Sequence, residues 1–119
     1  MSVDAAPRPQ FDRGMPYRDL APAEAQSELQ RDPTLRLLDV RTEREHHLHH
    51  LPGSVLLPVQ ELAQRAGELD ADANWLVYCE HGRRSVVACS ILASAGFAHL
   101  ANLRGGMANW LGCGLPVER

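Results

Sequence analysis

The stretch Trp75-Leu76-Val77-Tyr78-Cys79-Glu80-His81-Gly82-Arg83-Arg84-Ser85 decides the fold. Four apolar residues run into a cysteine, then into a loop of charged and small residues. A helical pattern follows from Val86 to Ala95, in which Val87, Ile91 and Ala95 recur every four positions. Strand, tight loop and helix form the unit from which parallel α/β sheets are assembled. The loop sets one thiol at the carboxyl end of a strand and at the mouth of a helix N-terminus. Unpaired N–H groups and the helix dipole attract negative charge there. Arg83 and Arg84 act in the same sense, Gly82 is free to take a positive φ, and Ser85 is placed to cap the helix. The pattern suits a thiolate, or a negatively charged adduct of one.

The same alternation continues on both sides. Tyr17–Leu20 reads as a short strand. Pro22–Arg31 reads as a helix, with Pro22 in its first turn and Asp32-Pro33 ending it. Leu35–Val40 is a mostly apolar run of the kind buried on both faces of a sheet. Thr42 and Glu45 have the spacing of a capping box for a short helix over Glu43–His47. Pro52-Gly53 marks a turn, Ser54–Leu57 a strand, and Val59–Leu69 a helix with Leu62, Ala66 and Leu69 on one face. After the cysteine helix, Gly96 supplies a stop, Phe97–Leu103 contains the last strand, and Met107–Leu111 a closing helix. Residues 1–15 carry Pro7, Pro9 and mixed charges with few apolar side chains, and read as a flexible N-terminal extension before a single domain over 16–119. The expected architecture is α/β, a five-stranded, mainly parallel sheet with helices on both faces. In such sheets ligands sit beyond the carboxyl ends of the strands, where Cys79 and Asp39 both lie.

Composition narrows the function classes. The chain has 119 residues, enough for one core, and its net charge of −3 gives no overall pull toward nucleic acid or an anionic membrane. All 12 basic residues are arginine, so Schiff-base chemistry on lysine is excluded. The three cysteines, Cys79, Cys89 and Cys113, are odd in number and lack a Cys-x-x-Cys pair. That argues against a disulfide framework or a thiolate zinc site, and suits a reducing cytoplasm. No apolar run approaches the ~20 residues of a membrane span, and no cofactor motif is present.

Three segments together carry a family resemblance. Cys79-Glu80-His81-Gly82-Arg83-Arg84-Ser85 resembles the active-site loop of rhodanese-type sulfurtransferases, Cys-x-x-Gly-x-Arg-Ser after a strand. Leu37-Leu38-Asp39-Val40-Arg41, then Glu45, then His50-Leu51-Pro52-Gly53-Ser54, resembles the family's Asp-Val-Arg…Glu…Gly-His-Ile-Pro-Gly-Ala segment. Arg104-Gly105-Gly106-Met107-Ala108-Asn109-Trp110 resembles its Gly-Gly…Trp close. The resemblance runs from Tyr17 to Pro116. It implies that Cys79 attacks a small anionic sulfur donor such as thiosulfate, becomes a persulfide, and passes the outer sulfur to cyanide, a thiol or a sulfur-relay protein. Glu80, His81, Gly82, Arg83, Arg84 and Ser85 would form the substrate-binding loop, with Arg83 and Arg84 drawing in the donor. Asp39, Arg41 and Glu45 would support it, tying the strand end to neighbouring loops. Glu80 opposes an anionic donor unless it faces solvent or pairs with an arginine.

Other readings compete. A persulfide carrier or sensor serving one protein partner shares the first half-reaction. A partner-binding module of the same fold would not need the cysteine. The fold is shared with phosphatases whose Cys-x5-Arg loop is one residue longer; here Arg84 gives Cys-x4-Arg, which fits a persulfide better than a phosphoryl or arsenate group. Cys89 reads as a core thiol and Cys113 as peripheral. His46, His47, His49 and His50 crowd into five residues, but no cysteine accompanies them and no metal site is expected. His50 matches the family's histidine, which implies a bond to backbone. His49 stands where the family has Gly, so a local reshaping is expected if that position needs positive φ.

Overall fold

Five short strands lie parallel in one sheet in the order β1-β5-β4-β2-β3. They are β1 (Arg18–Leu20), β2 (Arg36–Asp39), β3 (Val55–Leu56), β4 (Trp75–Tyr78) and β5 (Leu100–Leu103). Helices α1 (Pro22–Arg31), α2 (Glu43–Leu48), α3 (Val59–Arg65), α4 (Arg83–Ser94) and α5 (Gly106–Gly112) connect and follow them. The computed structural model describes residues 15–119 of the chain, so the expected extension over residues 1–15 lies, but for Met15, outside the described residues. Among these residues no helix is long and apolar enough to cross a membrane.

The two faces of the sheet bury two separate clusters, and the period-2 alternation of the strands sorts residues between them. Leu38, Val40, Trp75, Val77, Cys79 and Leu100 face one way, against Leu62, Ala88, Cys89 and Leu92 of α3 and α4. Leu37, Leu76, Tyr78, Ala101 and Leu103 face the other way, against Ala25, Met107 and Trp110 of α1 and α5. β4 is buried at every position, as is β5. Removing each such large side chain from water stabilises the fold by roughly 1.5–3 kcal/mol. The cysteine strand is therefore held at the middle of the sheet, paired on one side with β2 and on the other with β5.

Local signals explain most boundaries. Pro22 opens α1, and Glu24 returns to the Ala21 N–H at 2.8 Å. Thr42 and Glu45 form the capping box, each side chain bonding the other's backbone N–H. α4 closes with hydrogen bonds from Gly96 N–H to Ala93 O and from Phe97 N–H to Leu92 O, a Schellman arrangement. Three expectations need correction. The helix read over Val59–Leu69 is regular only to Arg65; Ala66–Glu68, with Gly67 at its centre, tightens into a 3-10 turn. Ser85 does not cap α4: the helix begins two residues earlier, with Gly82 at the cap. His49 carries no strain, because its φ of −171° is extended backbone open to any residue.

Candidate active site

Gly82 has a φ of +93°, a left-handed conformation that a side chain disfavours, and this bends the loop back over Cys79. Cys79 Sγ accepts hydrogen bonds from the N–H of Gly82 at 3.1 Å and of Ser85 at 3.3 Å. Ser85 is the third residue of α4, so the sulfur takes the place of a capping oxygen. The misplaced cap follows from this: Arg83 and Arg84 read as loop because the acceptor for the first helical turn is a sulfur from before the loop, not a hydroxyl beside it. Cys79 itself is buried.

The outer side of the loop is held by α5. Met107 N–H donates to Cys79 O at 2.8 Å and Ala108 N–H to Glu80 O at 3.0 Å. Gly106 permits this approach: a Cβ there would stand 2.7 Å from the Glu80 carbonyl carbon, closer than real contacts allow. A Cβ on Gly82 would meet Gly105 N at 3.2 Å, so the two glycine turns pack backbone to backbone.

The charged residues of the loop are divided by their partners. Arg84 meets Glu45 of α2 in two hydrogen bonds of 2.7 and 2.9 Å. The Arg84 bonds, working against partial burial and helped by the Thr42 N–H, pull the Glu45 carboxyl down to about 2. Glu80 is not turned to solvent: it pairs with Arg41 Nη1 at 3.1 Å. Among the described residues Arg83 makes no hydrogen bond or ion pair, and it is exposed, as is His81.

Asp39 and Arg41 form a buried pair under the loop. Arg41 donates to Asp39 from Nε at 2.9 Å, from Nη2 at 2.8 Å and from its backbone N–H at 3.0 Å, and its Nη2 also reaches His49 O at 2.7 Å. Burial opposes the Asp39 charge, but Arg41 and His46 outweigh it and hold the carboxyl below its ordinary range. Tyr78 OH, 3.0 Å from Asp39, is raised above the usual phenol range by burial and by that carboxylate. The arginine thus ties the end of β2 to the residue that follows α2 and to Glu80, while Asp39 itself meets His46 of α2 at 2.9 Å. His50 Nδ1 bonds His46 O at 3.0 Å, and their rings stack at 4.0 Å. Among the described residues no group of three or more His, Cys, Asp or Glu is arranged to hold a metal ion.

Cys89 is buried, and burial, with smaller contributions from Asp19 and Cys79, pushes its thiol up to about 12. Cys113 is exposed. The sequence reading missed Asn102, a buried polar residue on β5 that accepts from Ser85 Oγ at 2.6 Å. Its signal was a single amide inside the apolar run Phe97–Leu103, where a polar group persists only if bonded.

A cysteine sulfur seated in N–H groups at the carboxyl edge of a doubly covered parallel sheet defines an α/β protein with a thiol-centred loop. More narrowly, the chain belongs to the rhodanese-like domain family, whose model matches residues 21–113. This is a family of sulfurtransferases and sulfur carriers. The chain is 36% identical over 81 residues to a sulfurtransferase of Allochromatium vinosum, covering 68% of this chain and 76% of that protein. It is 31% identical over 94 residues to the thiosulfate sulfurtransferase GlpE of Pseudomonas syringae, covering 79% and 87%. YrkF of Bacillus subtilis, which bears a sulfur-carrier name, is 37% identical over 81 residues, and the match spans only 44% of its length. Among solved structures, a rhodanese-related protein from Thermoplasma volcanium superposes with a TM-score of 0.78 at 28% identity, over 86% of this chain and 98% of that one.

Proposed function

We propose that this chain transfers sulfane sulfur through a persulfide on Cys79, with thiosulfate as a competent donor. The observation that carries the reading is the pair of N–H groups, Gly82 and Ser85, directed at Cys79 Sγ from the first turn of α4. In the first half-reaction the Cys79 thiolate attacks the outer sulfur of thiosulfate. A new S–S bond forms, the donor's S–S bond breaks, and sulfite departs with the electron pair. In the second, cyanide or a thiolate attacks the outer sulfur of Cys79–S–S⁻, and the Cys79 thiolate leaves. No net redox change occurs and no cofactor is required.

The loop N–H groups stabilise the charge that moves on and off the sulfur, as donors in an oxyanion hole do for oxygen. Arg83 is the cation left to meet the anionic donor, since Arg84 is engaged by Glu45. The name of the GlpE relative supports thiosulfate as donor. The name of YrkF supports a carrier variant in which a protein takes the sulfur. A cytoplasmic setting fits a free reactive thiol.

The test is intact-protein mass spectrometry after brief exposure to thiosulfate, then to cyanide. A gain of one sulfur mass, mapped to Cys79 and removed by cyanide, is the expected result. No gain with either thiosulfate or polysulfide would overturn the proposal.

A further inference from the structure

Cys79 has a polar neighbour that the transfer chemistry leaves unused. Ser85 Oγ lies 3.4 Å from Cys79 Sγ, with the thiol as donor. The hydroxyl gives its one proton to Asn102 Oδ1 at 2.6 Å. Asn102, 3% exposed, donates through Nδ2 to Asp19 Oδ1 at 2.9 Å. Asp19 receives a further bond on Oδ2 from Arg104 Nε at 2.9 Å.

Each direction in this chain is forced. Arginine only donates and a carboxylate only accepts, so Asn102 turns its NH₂ toward Asp19 and its oxygen toward Ser85. That oxygen takes the hydroxyl proton. What Ser85 offers the sulfur is a lone pair.

We propose that Asn102, oriented by Asp19, is a positioning residue that withholds the Ser85 hydroxyl proton from Cys79. Turning the hydroxyl to the sulfur would strip a buried acceptor of its donor. The hydrogen bonds to the negative charge of the thiolate therefore come from the backbone N–H groups of Gly82 and Ser85. A thiolate spared one hydrogen bond is the stronger nucleophile. The acceptor of the hydroxyl proton is itself an amide oxygen, which takes up no proton at neutral pH.

The inference rests on Cys79 being the thiol of the proposed transfer, but its test reads that thiol directly. Thiolate absorbance is followed against pH in the wild type, Asn102→Leu and Asp19→Asn, each with and without Ser85→Ala. Each curve is taken as the difference from the same protein carrying Cys79→Ser, which removes Cys89, Cys113 and the tyrosines. The other ionisable groups near the loop, Arg84 with Glu45, Arg41 with Glu80, His81 and Arg83, are unchanged throughout.

Asn102→Leu frees the hydroxyl outright. Asp19→Asn does so by rotation: Arg104 keeps the new amide's oxygen, its NH₂ then faces Asn102, and Asn102 turns its own NH₂ to Ser85. Both substitutions are expected to lower the titration midpoint by about one pH unit when Ser85 is present, and not when Ser85→Ala is added. The Ser85→Ala background also separates the hydroxyl's effect from the charge lost at Asp19. A midpoint that does not fall, or a fall of equal size with Ser85→Ala, would overturn the proposal. If Asn102→Leu does not fold, Asp19→Asn, which keeps the shape of the side chain, decides alone. Failure of sulfur uptake from thiosulfate with the expected titration would reject the transfer chemistry and leave this assignment standing.

Discussion

Arg84 and Glu45 face one another in two parallel hydrogen bonds of 2.7 and 2.9 Å, joining the first turn of α4 to α2 across 39 residues of chain. The folded carboxyl, held by Arg84 at about 2 against 4.5 ordinarily, takes up a proton less readily than the unfolded one. Its stabilising contribution is therefore complete above about pH 4.5 and is lost as pH falls toward 2. Glu45→Gln is expected to cost about 1 kcal/mol at pH 7, since the pair is partly solvated but bidentate. Urea unfolding of both proteins at pH 7 and pH 3 checks this: the gap narrows at pH 3. A gap independent of pH would contradict it.

The two loop arginines have different jobs in the proposed reaction. Arg83→Ala removes an exposed cation without a partner among the described residues, and should raise KM for thiosulfate several-fold while leaving a neutral donor nearly untouched. High salt should shrink the difference. Arg84→Ala strands Glu45 and loosens the loop, so it should affect charged and neutral donors alike. Steady-state kinetics with one anionic and one neutral donor separates these outcomes; identical profiles for the two variants would defeat the distinction.

Gly106→Ala should be the most damaging single methyl in the region. It places a side chain at a φ of +63° and against the backbone carbonyls of Cys79 and Glu80. A loss of at least about 2 kcal/mol is expected. Thermal unfolding measures it, and a variant as stable as the wild type would show that α5 does not hold the loop this closely.

Cys79→Ser keeps the shape of the site, and its hydroxyl can accept from the Gly82 and Ser85 N–H groups. Sulfur transfer should vanish while the unfolding midpoint moves little. Retained transfer would send the search to another group, with Cys113 the only exposed thiol among the described residues.

Much of this was legible in the chain because the signals were local. The run Trp75–Tyr78 and the four-residue recurrence after it gave β4 and α4. Pro22, Thr42 and Glu45 marked helix starts that the structure reproduces. What escaped was non-local. The pairing of Arg84 with Glu45, and of Glu80 with Arg41, depends on which strands neighbour β4, and spacing along the chain does not encode that order. The Ser85 position was misjudged because its N–H finds an acceptor six residues upstream. Asn102 went unremarked because its partners, Ser85 and Asp19, lie 17 and 83 residues away.

The contact between α5 and the loop also orders events in time. The carbonyls of Cys79 and Glu80 are bonded by Met107 and Ala108, and the trans peptides then turn the N–H groups of Glu80 and His81 away from α5. The chain is made from its N-terminus, so Cys79 is joined to it before residues 105–108 are. Until they arrive, those two carbonyls lack their partners and nothing fixes which way the peptides point. The thiol is thus synthesised early and its surroundings are finished late, so a growing chain carries the sulfur atom without the cradle that surrounds it in the folded protein.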